Sequence, residues 1–262
     1  MTAYLAYAKK SFLGRSAYRF DHLMSILSTV LQFFIFYEIY RVLYAGAEQV
    51  DGITFKAVTT NFVISLGLGS VFAPNDYFLP GKIYDGSIAT EFLRPISFKG
   101  RMLAENAGNS LFDLIFKFIP VLAVALLTTG ICAPAGAGNM ALFVLSSLLG
   151  CGIVFSLSYL VQTTAFWAIN IWSVITIKNV FVNVLSGSMI PLWFMPSWMK
   201  GVLTFTPFSS IYFTPVQIYL GQLSYGEALL RCGIQAVWIG ILFSIGSVLW
   251  QNGQRKLVIQ GG

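Results

Sequence analysis

Residues 80–101 read PGKIYDGSIATEFLRPISFKGR and form the longest polar interruption in an otherwise apolar chain. Asp85 or Ser87 can accept a hydrogen bond from the first turn of a helix. Pro95 disfavours helical angles in the residue before it. The stretch therefore predicts a short helix from Ser87 to Leu93, bounded by residues that end helices.

The predicted helix has both apolar and charged side chains. Ile88, Phe92 and Leu93 are expected on one side, and Glu91 and Arg94 on its charged flanks. Two turns cannot be stable alone in water, because nucleation costs more than a few hydrogen bonds return. We expect this helix to contact another protein or the membrane surface, with a solvated loop as the alternative.

Composition places the whole chain in a membrane. Of its 262 residues, 56% are hydrophobic and only 10% are charged, whereas soluble domains carry about 25% charged residues. Aromatic residues make up 16%, which suits lipid-facing and interfacial positions. We predict one all-α, polytopic transmembrane domain that covers residues 1–262.

Apolar runs long enough for a bilayer predict six transmembrane helices. They lie at about residues 23–44, 55–72, 109–129, 140–166, 180–190 and 225–250. Residues 1–20 are too polar to span and are expected as an interfacial helix, and residues 76–105 as a polar loop. A turn is expected at Lys178 and Asn179. Prolines break residues 191–221 into short apolar pieces, which is typical of re-entrant helices.

The basic residues predict the orientation. With six spans, eleven of the 16 Lys and Arg residues fall on one side: Lys9, Lys10, Arg15, Arg19, Lys82, Arg94, Lys99, Arg101, Lys178, Arg255 and Lys256. Only Arg41, Lys56 and Lys200 fall near the other. Basic loops stay in the cytoplasm, so both termini and residues 80–101 are expected there, with residues 191–221 outside.

Ionisable residues inside the predicted spans are candidates for function, because such residues are costly in a bilayer. Asp113 and Lys117 stand four apart on the third span, and Glu38 and Arg41 stand three apart on the first. Both spacings favour ion pairs within one helix. Such pairs either neutralise themselves or contact a substrate, and the sequence leaves both readings open.

The sequence offers little for catalysis. The three cysteines have no CxxC spacing and the single histidine, His22, has no companion, so no metal or disulfide site is expected. Gly81-Lys82 lacks the upstream glycine and the following Ser or Thr of a phosphate-binding loop. No nucleophile stands with a base, and we therefore expect a protein that is not an enzyme.

Several motifs together resemble the small permeases of the ABC type-2 exporter family, over nearly the whole chain. They are Asp85-Gly86, Leu93-Arg94-Pro95-Ile96-Ser97, Ser186-Gly187, Pro191-Leu192, Phe194, Pro196, Pro207-Phe208, Pro215 through Gly221, and Val258-Ile259-Gln260-Gly261-Gly262.

The resemblance implies a six-span permease in a bacterial-type cytoplasmic membrane, with an N-terminal elbow helix at residues 1–20. It implies a coupling helix seated in a cleft of a separate ATPase subunit, with Ser87, Ile88, Glu91, Phe92, Leu93 and Arg94 as its coupling residues. Members work as two permeases, identical or paralogous, with two ATPases. ATP and Mg²⁺ then bind the partner ATPase, and this chain holds no cofactor. The external re-entrant region implies gate residues Gly187, Pro191, Phe194, Pro196 and Pro207.

The expected function is to move a hydrophobic or amphipathic substrate out of the cytoplasm or the inner leaflet. The path is expected between the permeases, against the first, second and fifth spans, with aromatic candidates Phe33, Phe34, Phe36, Phe181 and Trp193. Two alternatives stay open: a secondary transporter or channel driven by an ion gradient, and a membrane scaffold that transports nothing. An internal repeat, typical of many secondary transporters, is not evident.

Overall fold

The computed structural model describes residues 2–168 and 170–256, so the C-terminal motif from Val258 to Gly262 lies outside the described residues. Within the described part, the chain forms twelve α-helices: α1 Thr2–Ser16, α2 Arg19–Tyr44, α3 Phe55–Val71, α4 Phe78–Tyr84, α5 Ile88–Phe92, α6 Phe98–Asp113, α7 Ile119–Thr128, α8 Ala137–Thr163, α9 Trp172–Leu185, α10 Ser197–Thr204, α11 Phe213–Tyr219 and α12 Tyr225–Gln254.

Shorter elements join these helices. A π-helical turn, Leu114–Phe118, makes α6 and α7 one continuous rod, and 3₁₀ turns stand at Thr164–Phe166 and Leu192–Phe194. Strands β1 (Gln49–Val50) and β2 (Ile53–Thr54) pair antiparallel between α2 and α3. Their two-residue turn, Asp51-Gly52, has positive φ at both positions, which is the hairpin turn that Asp-Gly favours.

Within residues 2–168 and 170–256, four helices are long and apolar enough to cross a bilayer: Arg19–Tyr44, Phe98–Thr128, Ala137–Phe166 and Tyr225–Gln254. The chain is thus an all-α, multi-pass membrane protein, as predicted. The apolar helices α3 and α9 have 17 and 14 residues, or roughly 26 and 21 Å at about 1.5 Å per residue. A hydrocarbon core is about 30 Å thick, so the count of six crossings stays a prediction.

Two predicted boundaries are wrong. The helix that contains the third predicted span begins at Phe98 and not near Asn109, because the Ser97 hydroxyl accepts a hydrogen bond from Gly100 N and caps a polar first half that the sequence assigned to a loop. The expected turn at Lys178 and Asn179 is absent, since both lie inside α9. Lys178 is buried there, and its charge is paired.

Helix α8 lies at the centre of the bundle, packed along α12 and α11. Close approach depends on small residues: a Cβ at Gly150 would lie 2.7 Å from the Ile211 carbonyl oxygen, and one at Gly246 would lie 2.8 Å from the Tyr159 ring. Helices that pack in membranes commonly meet at such positions. Buried Gln235 of α12 adds hydrogen bonds to the carbonyls of Ser146 and Ser210, at 3.1 and 2.7 Å.

The N-terminal helix α1 packs lengthwise against α6, running in the same direction. A Cβ at Gly100 would meet the Tyr4 ring at 2.8 Å, and one at Gly108 would meet the Ala8 backbone carbonyl. Near the other end, the Phe12 ring packs edge-on against Phe112, 5.5 Å between centroids. The polar first half of α6 is therefore covered by α1, which explains why it stays helical.

Candidate functional site

The sequence stretch that interrupts the apolar chain folds into a helical hairpin made of α4 and α5, residues 78–92. Gly86 joins the two helices with a φ of +73°, a conformation that glycine adopts without strain. Asp85 Oδ1 accepts a hydrogen bond from Ser87 N at 2.9 Å. Hydrogen bonds from Ser87, through its side chain and its backbone, lower the pKa of Asp85.

Glu91 is the anchor of the α4–α5 hairpin. Its side chain is only 3% exposed, and its carboxylate lies 2.8 Å from Lys82 Nζ, 2.5 Å from Arg101 Nη1 and 3.7 Å from Arg94 Nε. Burial raises the pKa of Glu91, but hydrogen bonds from Lys82 and Arg101 and their charges lower it more, so the pKa lies below its ordinary value. The buried carboxylate thus holds α5 against α4 and α6.

This placement corrects the predicted faces of the coupling helix. Glu91 was expected on a charged flank of the helix, yet it is buried because the hairpin folds back onto the first half of α6. Ile88 was expected beside Phe92 and Leu93, yet it is 2% exposed and packs in a core cluster that includes Leu79 and Met102. Ser87 is half-buried and lies at the N-terminal end of α5.

Three large hydrophobic side chains are exposed on the α4–α5 hairpin and at its end. Tyr84 is 82% exposed, Phe92 43% and Leu93 86%. We call these three side chains the hairpin tip. Arg94, next to it, is held toward α1 by a hydrogen bond of 2.9 Å to the Tyr7 hydroxyl. The hairpin therefore combines a buried ionic anchor with an exposed apolar surface.

A second buried ion pair joins distant segments at the base of the hairpin. Lys178 Nζ of α9 lies 2.6 Å from Asp76 Oδ2, just before α4. Ser158 of α8 donates a hydrogen bond to the other oxygen of Asp76. Gln162 Nε2 donates to Ser158 Oγ at 2.9 Å, and its oxygen accepts from Leu79 N at 3.1 Å. The network links α4, α8 and α9.

Sequence reasoning missed the Asp76–Lys178 pair. The signal was present, because Lys178 lies in a strongly apolar segment and Asp76 has no basic residue within four positions. An ionisable residue in such a place needs a partner from elsewhere in the fold.

The predicted pair between Asp113 and Lys117 is wrong. Both oxygens of Asp113 accept hydrogen bonds from Arg15 Nη1 of α1, at 2.7 and 2.6 Å. Lys117 stands on the π-helical turn and donates to Ser25 Oγ of α2 at 2.7 Å. The π turn changes the spacing of the two side chains around the rod, so they do not face each other as i and i+4 would.

The other pair has the predicted geometry. Arg41 Nη2 lies 2.7 Å from Glu38 Oε2, and the two side chains are 63% and 49% exposed. An exposed pair of this kind adds little stability.

The five aromatic path candidates do not come together in the structure. Phe33 is 1% exposed and packs with Phe34 and Phe36 in a cluster that joins α2 to α3 and α7. Phe181 is half exposed, its ring 6.1 Å from Phe208. Trp193 donates to Gln222 Oε1 at 3.1 Å.

A cavity of about 380 Å³ does lie among α2, α3 and α9, the helices that correspond to the first, second and fifth predicted spans. Its aromatic lining is Phe62 and Tyr212, not the five candidates. The five aromatic candidates therefore do not line this cavity, because a helix places neighbouring residues in different directions, and the substrate path against these helices stays a prediction.

The five gate candidates lie in the segment between α9 and α11. Gly187 has a φ of +79°, and a Cβ there would lie 2.6 Å from Leu192; its carbonyl accepts from Asn61 Nδ2 at 3.3 Å. Pro191 and Pro207 are buried, Phe194 is half-buried against the α2–α3 contact, and Pro196 stands just before α10.

The short helix α11 reaches two distant parts of the bundle. At its start, the Tyr212 ring stacks on Phe72 after α3, with centroids 5.8 Å apart. At its end, the Tyr219 hydroxyl donates to the Cys132 carbonyl, between α7 and α8, at 2.9 Å. Helix α11 therefore links the end of α3 to the α7–α8 connection.

Among the residues that the structure describes, no three His, Cys, Asp or Glu side chains group closely enough to hold a metal ion. A family model described as ABC-2 family transporter protein matches residues 26–261. No curated protein sequence matches the chain.

Proposed function

This chain belongs to the ABC-2 family of transporter proteins, and on that premise we propose that it is the permease subunit of an ATP-driven exporter. Its substrate is a hydrophobic or amphipathic molecule, moved out of the cytoplasm or the inner leaflet. ATP and Mg²⁺ bind a separate ATPase, and the permease acts as a dimer of identical or paralogous chains with two ATPase subunits.

The observation that carries this proposal is the α4–α5 hairpin. Three apolar side chains, Tyr84, Phe92 and Leu93, are exposed on it, while Glu91 beneath them is held by cations on α4 and α6. A rigid apolar projection of this size fits a cleft in a soluble partner, because its burial there removes apolar surface from water. We assign the hairpin tip as the ATPase contact.

The anchors offer a route for motion. A push on the hairpin tip acts through the Glu91–Arg101 pair on the rod that begins with α6. It also acts on α8 through the hydrogen bond between Leu79 of α4 and Gln162 of α8, and on α9 through the ion pair between Asp76 and Lys178. Such packed elements move between discrete arrangements and do not deform continuously. The ATPase would thereby tilt the helices that border the substrate path.

The charge distribution supports the orientation. Eleven basic residues of the sequence fall on the side of the hairpin in the six-span topology, and three near the other. The excess of basic residues on that side supports a cytoplasmic location for the hairpin and both termini. We propose a bacterial-type cytoplasmic membrane. Residues 191–221 then form the external gate, with α11 entering the bundle from outside.

The test is affinity purification of the chain from its native membranes in mild detergent, with identification of co-purifying proteins. We expect a soluble P-loop ATPase, and we expect Leu93→Ser to reduce its recovery at least fivefold. Leu5→Ser is the matched control, because Leu5 on α1 is also strongly exposed, at 72%, but lies outside the hairpin tip.

Equal ATPase recovery with the two variants would refute the hairpin assignment. Purification of the chain alone, with flux in reconstituted vesicles driven by an ion gradient, would refute the exporter and favour a secondary transporter.

A further inference from the structure

The cavity among α2, α3 and α9 has a polar lining. The side chains of Gln32, Ser65, Ser70 and Asn183 line it, and Arg15, Asp113 and Lys117 line the end nearest α1. Its volume of about 380 Å³ lies within the range of small-molecule sites. Polar groups at the depth of these apolar helices are costly unless they face a polar partner.

Some of these groups lack a partner within the described residues. Ser65 is 1% exposed, and its buried hydroxyl makes no hydrogen bond there. Such a buried, unpartnered hydroxyl costs about 1–3 kcal/mol unless something else bonds to it. The side chains of Gln32 on α2 and Asn183 on α9 are exposed and line the same cavity. The cavity therefore offers hydrogen bonds that the described part of the chain does not satisfy.

The charged side chains that line the end nearest α1 are two cations, Arg15 and Lys117, and one carboxylate, Asp113. That carboxylate is already bonded through both oxygens to Arg15. Lys117 donates only to the neutral hydroxyl of Ser25, and the described residues place no carboxylate within 4.0 Å of its ammonium group. The π-helical turn that holds Lys117 is a feature often found at functional sites.

We propose that this cavity binds the anionic headgroup of an amphiphilic substrate, such as a phosphate or carboxylate carried on a lipid-like body. Lys117 is the counter-ion, and Ser65, Gln32 and Asn183 bond the headgroup's other oxygens. The apolar part of the molecule lies along the exposed apolar surfaces of α2 and α9. The inference rests on the proposed function, because it treats the ligand as cargo, and it adds the chemical class of that cargo.

The binding test uses the chain in nanodiscs of phosphatidylcholine. A fluorescent short-chain phosphatidic acid is titrated, with the diacylglycerol of the same chains as the uncharged comparator. We expect the phosphatidic acid to bind at least tenfold more tightly. Lys117→Gln should abolish this preference and Lys117→Arg should keep it. Lys10→Gln is the control, because it removes an exposed charge of α1 outside the cavity.

Equal preference in the Lys117→Gln and Lys10→Gln variants, or no preference in the unmodified chain, would overturn the proposal. If Lys117→Gln does not elute as a monodisperse species, Gln32→Leu replaces it, since this exposed side chain is tolerant of change. That variant should weaken phosphatidic acid binding about fivefold, and unchanged binding would count against the site.

A second experiment distinguishes a transported substrate from a lipid that stays bound to the permease. In the complex with its ATPase, addition of ATP should release the bound phosphatidic acid. A probe that stays bound while ATP is hydrolysed would overturn its assignment as cargo. Binding is measured without ATP, so intact binding in a chain that supports no ATP-driven transport would refute the proposed function and not the site.

Discussion

Replacing Lys178 by methionine removes the cation of the buried Asp76–Lys178 pair, and we expect it to lower the free energy of unfolding by about 3–5 kcal/mol. The two side chains are only 7% and 11% exposed and lie 2.6 Å apart. After the change, Asp76 keeps only the hydrogen bond from Ser158. Its charge is then buried without a counter-ion, and this loss of about 3 kcal/mol or more shifts the unfolding equilibrium at least a hundredfold.

Methionine is chosen because it keeps most of the volume of lysine, so that the loss of charge is measured and not the loss of packing. The double variant Asp76→Asn with Lys178→Met leaves no buried charge. It should therefore recover all but about 1 kcal/mol of the lost stability. Arg41→Met serves as the matched control, because it breaks the exposed Glu38–Arg41 pair, and should cost at most about 1 kcal/mol.

The assay is chemical unfolding of the purified chain in mild detergent, followed by tryptophan fluorescence. Trp172 stands at the start of α9 and reports on this helix. If the effects of Asp76→Asn and Lys178→Met on the free energy of unfolding add to within about 0.5 kcal/mol, the two residues are not coupled. That result would refute the claim that their ion pair links α9 to the hairpin.

Three other changes test the remaining contacts. The lowered pKa of Glu91 means that its ion pairs stabilise the hairpin at neutral pH. This stability is lost as the pH falls below the ordinary glutamate value of 4.5 and through the lower pKa of the folded state. Proteolysis of the hairpin should rise in that pH range, and the Glu91→Gln variant should be cleaved readily and equally at all pH values. Gly108→Val should displace α1, because a Cβ there meets the Ala8 carbonyl, whereas the control Gly14→Val has open space. We expect faster hydrogen exchange in α1 for the Gly108 variant alone. Equal exchange in the two variants would contradict the packing of α1 against α6. Gly187→Ala should lower the unfolding temperature, since the position has positive φ and no room for a Cβ, at a cost of about 1–3 kcal/mol, while Gly226→Ala, which has open space, should change it little.

The sequence alone determined the class of protein and most of its helices. Low charge and apolar runs of about 20 residues indicate a helical membrane protein, because a helix of that length spans the bilayer and satisfies its own backbone hydrogen bonds. The short helix predicted from Ser87 to Leu93 is present as α5, Ile88–Phe92, although Ser87 makes no side-chain cap, since turns and helix ends depend on neighbouring residues. The motif order also led to the family that the match over residues 26–261 shows.

Only the tertiary structure decided which charges meet. Arg15 binds Asp113 across 98 positions and Lys178 binds Asp76 across 102, whereas the sequence suggested the nearer partner Lys117 for Asp113. The burial of Glu91 and the face of α5 that remains open likewise depend on how the hairpin folds onto α6. Helical periodicity relates only residues within a few turns of one helix. Contacts between helices depend on the packing of whole faces, and here small residues such as Gly108 determine how closely those faces approach.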